Sequence, residues 1–410
     1  YWFFRITSID GHYPVFTALV QLVIMCVSMV YFVYSLPFRK EVQNVTLLVF
    51  FSLPIYGFFA MSISHDLTQT AGIVLLVAIE IRRLRNIEED RLLLIILCAS
   101  LLLITTHTGM IIFGLALLRN FLFLKQWKTL LLSTIVLSVF FFSSVGLTRG
   151  LNVYGNFTNS SQVKYWSLLA GMKCAVQHEA ADLSQKDWSV LLKIASRDNW
   201  IEPVSCQNYD YQINALKLSE RNYDFTNMEF LETYVSIARK NTAVMAMSHI
   251  QRARGVLPPL LFQPPGNQVS LDVDVPVGQG TNTALQGGPV FLHPSIDIPG
   301  GEDFKPQLFE VLEIPAQGLG FIFNQASWFW GWGGLWLFAG MILLTNRINQ
   351  KKIRTVVAVF YAPIAMHLLL IIFIPASMPR YYIYSIVIGL SIAIAYVTSG
   401  IIERSRRIER

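Results

Sequence analysis

Residues 45–61 (VTLLVFFSLPIYGFFAM) carry no charged side chain, and runs of this kind recur along the chain. Several approach the ~20 apolar residues that a helix needs to cross the hydrocarbon core of a bilayer. Charged residues make up 14% of the chain and hydrophobic ones 53%, whereas roughly a quarter of an ordinary soluble domain is charged. The sequence therefore predicts an all-α polytopic membrane protein. No secretory signal peptide with a cleavage site is visible. The chain begins at Tyr1 rather than Met, so a further segment is expected upstream.

About nine spans are expected, near 15–36, 43–61, 67–82, 91–105, 109–124, 128–147, 326–345, 354–375 and 381–402. The Lys and Arg bias of the connections orients them. Alternate connections hold Arg39 and Lys40; Arg82, Arg83, Arg85 and Arg91; Arg119, Lys125 and Lys128; Arg347, Lys351, Lys352 and Arg354; then Arg404, Arg406, Arg407 and Arg410. The short connections between them (62–66, 106–108 and 376–380) contain one basic residue, Arg380. Every basic connection is thus expected in the cytoplasm, and the others outside. The net charge of +6 lies mostly on the basic side. It serves topology and attraction to anionic membrane lipids, and is no argument for nucleic acid.

Three regions follow: a transmembrane region of about six spans over 1–148, an extracytoplasmic hydrophilic domain over 149–325, and a region of about three spans with a basic tail over 326–410. The insertion is long enough to bury a core of its own, and a mixed α/β domain is expected there. Residues 226–254 open on Thr226-Asn227-Met228-Glu229, a capping-box pattern. Phe230, Tyr234, Ile237, Ala238, Val244, Met245, Met247 and Ile250 then recur at near-helical spacing. Such a face suits a helix lying on the membrane or one packed on its own domain. Residues 255–325 are rich in Pro and Gly turns and predict loops with a few strands. Trp328, Trp330, Trp332 and Trp336 mark the return to the bilayer, as interfacial aromatic residues do. Cys174 and Cys206 both fall in this domain, where an oxidising compartment permits a disulfide. No Cys or His spacing resembles a zinc site.

Ionisable residues gather on the outer side. Asp10 and His12 precede the first span, His65 and Asp66 the third, His107 joins the fourth to the fifth, and Arg380 precedes the ninth. Charged groups in such settings cost free energy and mark functional sites by default. A carboxylate accepts the proton of an attacking hydroxyl, and the planar fork of Arg binds phosphate. Each residue also has a plain reading. Asp66 suits the first turn of a helix, Arg380 suits an interfacial position, and His107 suits a bond to a neighbouring carbonyl. His367, inside the eighth span, is read as a packed or helix-bonded histidine rather than a ligand, and Glu80 as the partner of Arg83.

Four stretches resemble the C-type integral-membrane glycosyltransferases that use polyprenyl-phosphate sugars, including the protein O-mannosyltransferases and lipid A aminoarabinose transferases. They are DGHYPVFTALV (10–20), FFSLPIYGFFAMSISHDLTQTAGIVLLV (50–77), THTGMIIFGLALL (106–118) and MPRYYIYSIVIGL (378–390). Their order and common side carry the resemblance, which covers the spans and hardly touches the outer domain. The resemblance implies transfer of a sugar from a polyprenyl phosphate to a hydroxyl of lipid, glycan or protein, on the outer face of a bacterial inner membrane. It implies that Arg380 and His107, with His12, hold the donor phosphate. The family's base is an acid of the first outer loop, usually a pair, and the pair is absent here. The base is then Asp10, Asp66 beside His65, or a residue upstream. Relatives differ in using a divalent cation, so the resemblance implies no fixed metal. Two other classes remain: an O-antigen polymerase or ligase acting on diphosphate-linked oligosaccharides, and a lipid or glycan transporter. Against the transporter, no internal repeat is seen, and no pair of broken helices at corresponding positions.

Overall fold

In the computed structural model the described residues are 14–53, 65–85, 109, 111–116, 118, 135, 165–178, 183–204, 206, 209–218, 223–225, 227–252, 333–348, 353–372 and 382–408. They are mostly helical, and no strand occurs among them. The segment 255–325, expected to supply strands, lies outside them, as do the expected domain boundaries. In chain order the helices are α1 (Pro14–Ser35), α2 (Lys40–Ser52), α3 (His65–Leu84), α4 (Trp166–Gln177), α5 (Gln185–Ile194) and α6 (Arg197–Ile201). Then come α7 (Tyr209–Leu216), α8 (Met228–Lys240), α9 (Thr242–Arg252), α10 (Gly333–Ile348), α11 (Ile353–Ile372) and α12 (Ile383–Ile408).

The chain divides into two compact units. One contains α1, α2, α3, α10, α12 and α11 as far as His367. Its helices are apolar on more than one face. α1 buries Met25, Met29, Phe32 and Val33 while exposing Leu19, Val23, Val27 and Tyr34. A helix apolar all round belongs in a large core or a bilayer. Within α12, residues Ile383–Arg407, with a mean hydropathy of 2.1, are long and apolar enough to cross a membrane. Leu19–Ser35 of α1, α10, and Val357–Ile371 of α11 are shorter apolar helices.

Hydroxyl groups in these helices turn back on their own backbone. Ser28 donates to the Ile24 carbonyl at 2.8 Å, Ser35 to Tyr31 at 2.7 Å, Thr46 to Val42 at 2.7 Å and Ser391 to Val387 at 2.7 Å. This i−4 bond satisfies a hydroxyl without water, as an apolar setting demands. α10 lies on α12 where glycines let the backbones meet. A Cβ on Gly340 would stand 2.9 Å from Gly389 Cα, and one on Gly389 would stand 3.0 Å from Trp336 Cα. Trp336 itself is buried at this contact rather than sitting as a surface anchor.

The innermost helix of this unit is α3: every residue from Leu67 to Ile81 is buried. Its last turns carry Glu80, which accepts from Arg83 at 2.9 Å as expected. Arg85 then donates to the carbonyls of Ser35 and Leu36, each at 3.1 Å, where α1 ends. A cation at exposed C-terminal carbonyls is favoured by the helix dipole.

The second unit holds α4 to α9 around an apolar core that includes Leu169, Met172, Val190, Leu191, Trp200 and Phe230. Three caps set its helix starts. Ser184 and Asp187 form a reciprocal box on α5, Ser196 caps α6 and Asn227 caps α8. Cys174 and Cys206 are joined by a disulfide with Cα atoms 5.5 Å apart. Beside it, the buried Lys173 ammonium donates to the Trp200 carbonyl at 3.0 Å, to the Glu202 carbonyl and to Gln177 at 3.3 Å. Gln177 in turn donates to the Val204 carbonyl at 2.7 Å and accepts from its N–H at 3.1 Å. One face of α4 thus holds the segment after α6 by a covalent bond, an ammonium and an amide.

The stretch expected as one helix over 226–254 is two. Asn241 leaves helical geometry at φ −119° and ψ 35°, and α9 starts at Thr242. The cap is Asn227, whose side chain accepts from the Glu229 N–H at 3.1 Å. Phe230, Ile237 and Met245 face the core, whereas Met247 and Ile250 are exposed. Of the two readings of this segment, the one packed on its own domain describes α8, although Met228, Leu231 and Val235 remain exposed on its outer face.

Candidate functional site

The two ends of the first unit differ in chemistry. One end is basic. Arg406 of α12 pairs with Glu41 of α2 at 2.6 Å, and Arg347 at the end of α10 pairs with Glu403 of α12 at 3.4 Å. Arg347 also lies over the Phe38 ring, and Arg82 over the Tyr31 ring of α1. With the Arg85 bonds to Ser35 and Leu36, these contacts collect the C-terminal ends of α1, α3, α10 and α12 with the start of α2.

It follows that α1, α3, α10 and α12 all start at the opposite end. α3, whose 20 residues span about 30 Å at 1.5 Å each, opens there on His65 and Asp66. Asp66 is the second residue of the helix. Asp10 and His12 come just before α1 in the chain, and Arg380 just before α12. Asp10, His12, His107 and Arg380 lie outside the described residues, and of His65 and Asp66 only the helical backbone is described.

Directly below the opening of α3 is a buried polar layer that sequence reasoning missed. Thr68, Gln69 and Thr70 are all buried, and the Gln69 amide donates to Met366 Sδ of α11 at 3.1 Å. The next residue of α11, His367, is hydrogen-bonded through Nδ1 to the Tyr384 hydroxyl in the first turn of α12. The two rings meet edge to face with centroids 5.4 Å apart. Tyr382 and Ser385, both fully buried, complete the α12 side, and Gly333 of α10 packs against them. α3, α11 and α12 therefore contribute polar side chains to one layer, within two turns of His65 and Asp66.

His367, expected as a packed or helix-bonded histidine, is buried, with the Pro363 carbonyl one turn back as a backbone partner of its ring. The missed element is its partner, which lies on another helix. A histidine in an apolar helix that is followed by a Tyr-rich helix start is the signal available in the sequence, but only the fold joins them. Among the described residues no group of three or more His, Cys, Asp or Glu side chains stands together as a metal site. The chain matches no protein-family model, no curated protein and no solved structure.

Proposed function

We propose that this chain is a polytopic glycosyltransferase of the C type, with about nine spans and an extracytoplasmic domain of mixed α/β structure. It moves a sugar from a polyprenyl phosphate to an acceptor hydroxyl on the outer face of a bacterial inner membrane. In the step, the acceptor oxygen bonds to the anomeric carbon as the bond from that carbon to the phosphate oxygen breaks. The acceptor proton passes to a carboxylate, Asp10 or Asp66 beside His65, and polyprenyl monophosphate leaves. Arg380, His107 and His12 stabilise the departing phosphate. The observation that supports this reading most is the polarity of the first unit. Its arginines gather at one end, and the helices preceded or opened by Asp10, His12, His65, Asp66 and Arg380 start at the other. The Cys174–Cys206 bond adds that the second unit suits an oxidising compartment.

The test is mass spectrometry of the lipid carrier after the purified protein is incubated with lipid extract from its host. Polyprenyl monophosphate should appear, and should be lost in Arg380→Ala and in either Asp10→Asn or Asp66→Asn. Release of polyprenyl diphosphate would instead assign a polymerase or ligase. No carrier release under any condition would leave a transporter.

A further inference from the structure

Among the described residues, Nε2 of His367 is buried with no hydrogen-bond partner, in a residue 9% exposed. An orphaned polar atom in an apolar interior is costly, and its native partner is expected to be something that binds there. The ring is already engaged by the Tyr384 hydroxyl at Nδ1 and by the Pro363 carbonyl one turn back on its own helix, which together hold the orphan atom in a fixed direction. It stands in the same layer as Thr68, Gln69 and Thr70, at the end of the unit where α3 opens on Asp66.

Two tautomers are open to a neutral imidazole bonded in this way. If the Tyr384 hydroxyl donates to Nδ1, Nε2 carries the proton and needs an acceptor. If Nδ1 carries it, Nε2 is a bare lone pair and needs a donor. A phosphate oxygen satisfies only the first form. A hydroxyl both donates and accepts, and satisfies either.

We propose that the His367–Tyr384 pair is a recognition element for a sugar hydroxyl of the lipid-linked donor, with His367 Nε2 as the contacting atom and Tyr384 as the positioning residue. This rests on the glycosyltransferase reading and adds to it the part of the donor that this layer holds. The layer reads the carbohydrate, and other groups are proposed for the phosphate.

The experiment measures binding of two probes to the full chain in nanodiscs: undecaprenyl phosphate, and undecaprenyl phosphate carrying a hexose or aminoarabinose. Each is tested on the wild type, His367→Ala and Tyr384→Phe, with matching helical circular dichroism as the check on folding. Wild type should prefer a sugar-bearing probe. His367→Ala should weaken that probe by about tenfold, the worth of one hydrogen bond, and leave undecaprenyl phosphate unchanged. Tyr384→Phe, which removes only the hydroxyl that orients the ring, should give a smaller loss in the same direction. Equal weakening of both probes, or no change in either, overturns the proposal while leaving the transferase reading intact. A wild type that binds neither probe overturns both. If His367→Ala fails to fold, Tyr384→Phe decides: loss confined to the sugar-bearing probe supports the proposal, and any other pattern overturns it.

Discussion

Gly389 of α12 rests on the backbone of Trp336 in α10, so closely that a Cβ would stand 3.0 Å from Trp336 Cα and nearer still to its carbonyl. Neither neighbour is the movable tip of a side chain, so the added methyl must push the helices apart. Gly389→Ala should cost about 1–3 kcal/mol, as overpacking of a tight contact does. Thermal denaturation in detergent reads this directly. A variant that melts like the wild type would show that α10 and α12 do not cross at these glycines.

The ends of the first unit predict a labelling pattern. In a chain with Cys26 and Cys98 replaced by Ser, Lys40→Cys should react with an impermeant thiol reagent only from the cytoplasm. Ser64→Cys, next to the start of α3, should react only from the other side. Labelling of both positions from one side would remove the topology on which the proposed site depends.

The disulfide closes a loop of 32 residues. In the chain-entropy account this is worth about 3.5 kcal/mol. Reduction, or Cys174→Ser with Cys206→Ser, should therefore raise hydrogen exchange across α4, α6 and the segment after α6. Exchange in α1, α3 and α12 should stay unchanged, because none of them contains the cross-link.

Asp187 gives a prediction in acid. Burial pushes its carboxyl up, but bonds from the Ser184 N–H and hydroxyl, from Ser236 and from Lys240 outweigh this and hold it below the ordinary carboxylate range. A depressed folded pKa means the stabilisation is fully present above the unfolded pKa and disappears as pH falls through the folded one. Asp187→Ala should cost about 1–2 kcal/mol at neutral pH, the usual worth of a helix cap. Below pH 3 or so, where the unfolded carboxyl is already protonated, that difference should shrink. A cost that stays constant with pH would mean the carboxylate is not what holds the start of α5.

Lys173 behaves in the opposite sense at high pH. Burial pushes its ammonium down to about 8, with the charge of Glu202 opposing. Below that value both folded and unfolded chains hold the proton, and the cost of burying it is fully present. Between about 8 and the ordinary lysine value the folded chain has released the proton and the unfolded chain has not, so this group's contribution to stability rises with pH. Relative to Lys173→Met, the second unit of the wild type should therefore gain stability from pH 7.5 to pH 10. Exchange rates in α4, corrected for intrinsic pH dependence, measure it, and a wild type that loses ground against the variant would reverse the sign.

What could be read from the sequence was mostly one-dimensional. Glu80 and Arg83 stand one turn apart, so their pairing follows from helical spacing alone. Cys174 and Cys206 are two cysteines in one hydrophilic stretch, and their bond needs only that the stretch fold. The start of α3 was legible because a five-residue stretch (62–66) with four polar residues separates two apolar runs. What escaped was anything fixed by a second helix. The tyrosines that follow His367 in the chain do not say which of them reaches it, and Tyr384 does so where the start of α12 meets α11. The break at Asn241 was hidden because residues 228–252 keep a helical period on both sides of it. Trp336 looked like one of four belt tryptophans, and its burial depends on Gly389 more than fifty residues away.

The enclosure of α3 has a consequence for tolerance to substitution. On α1 or α2 a saturation scan should show tolerance rising and falling every three or four positions, as side chains turn alternately towards neighbours and away from them. From Leu67 to Ile81 that rhythm should vanish, because no position faces outward. The profile there should be a flat intolerant strip, and changes in volume should survive only as matched pairs with residues of the surrounding helices.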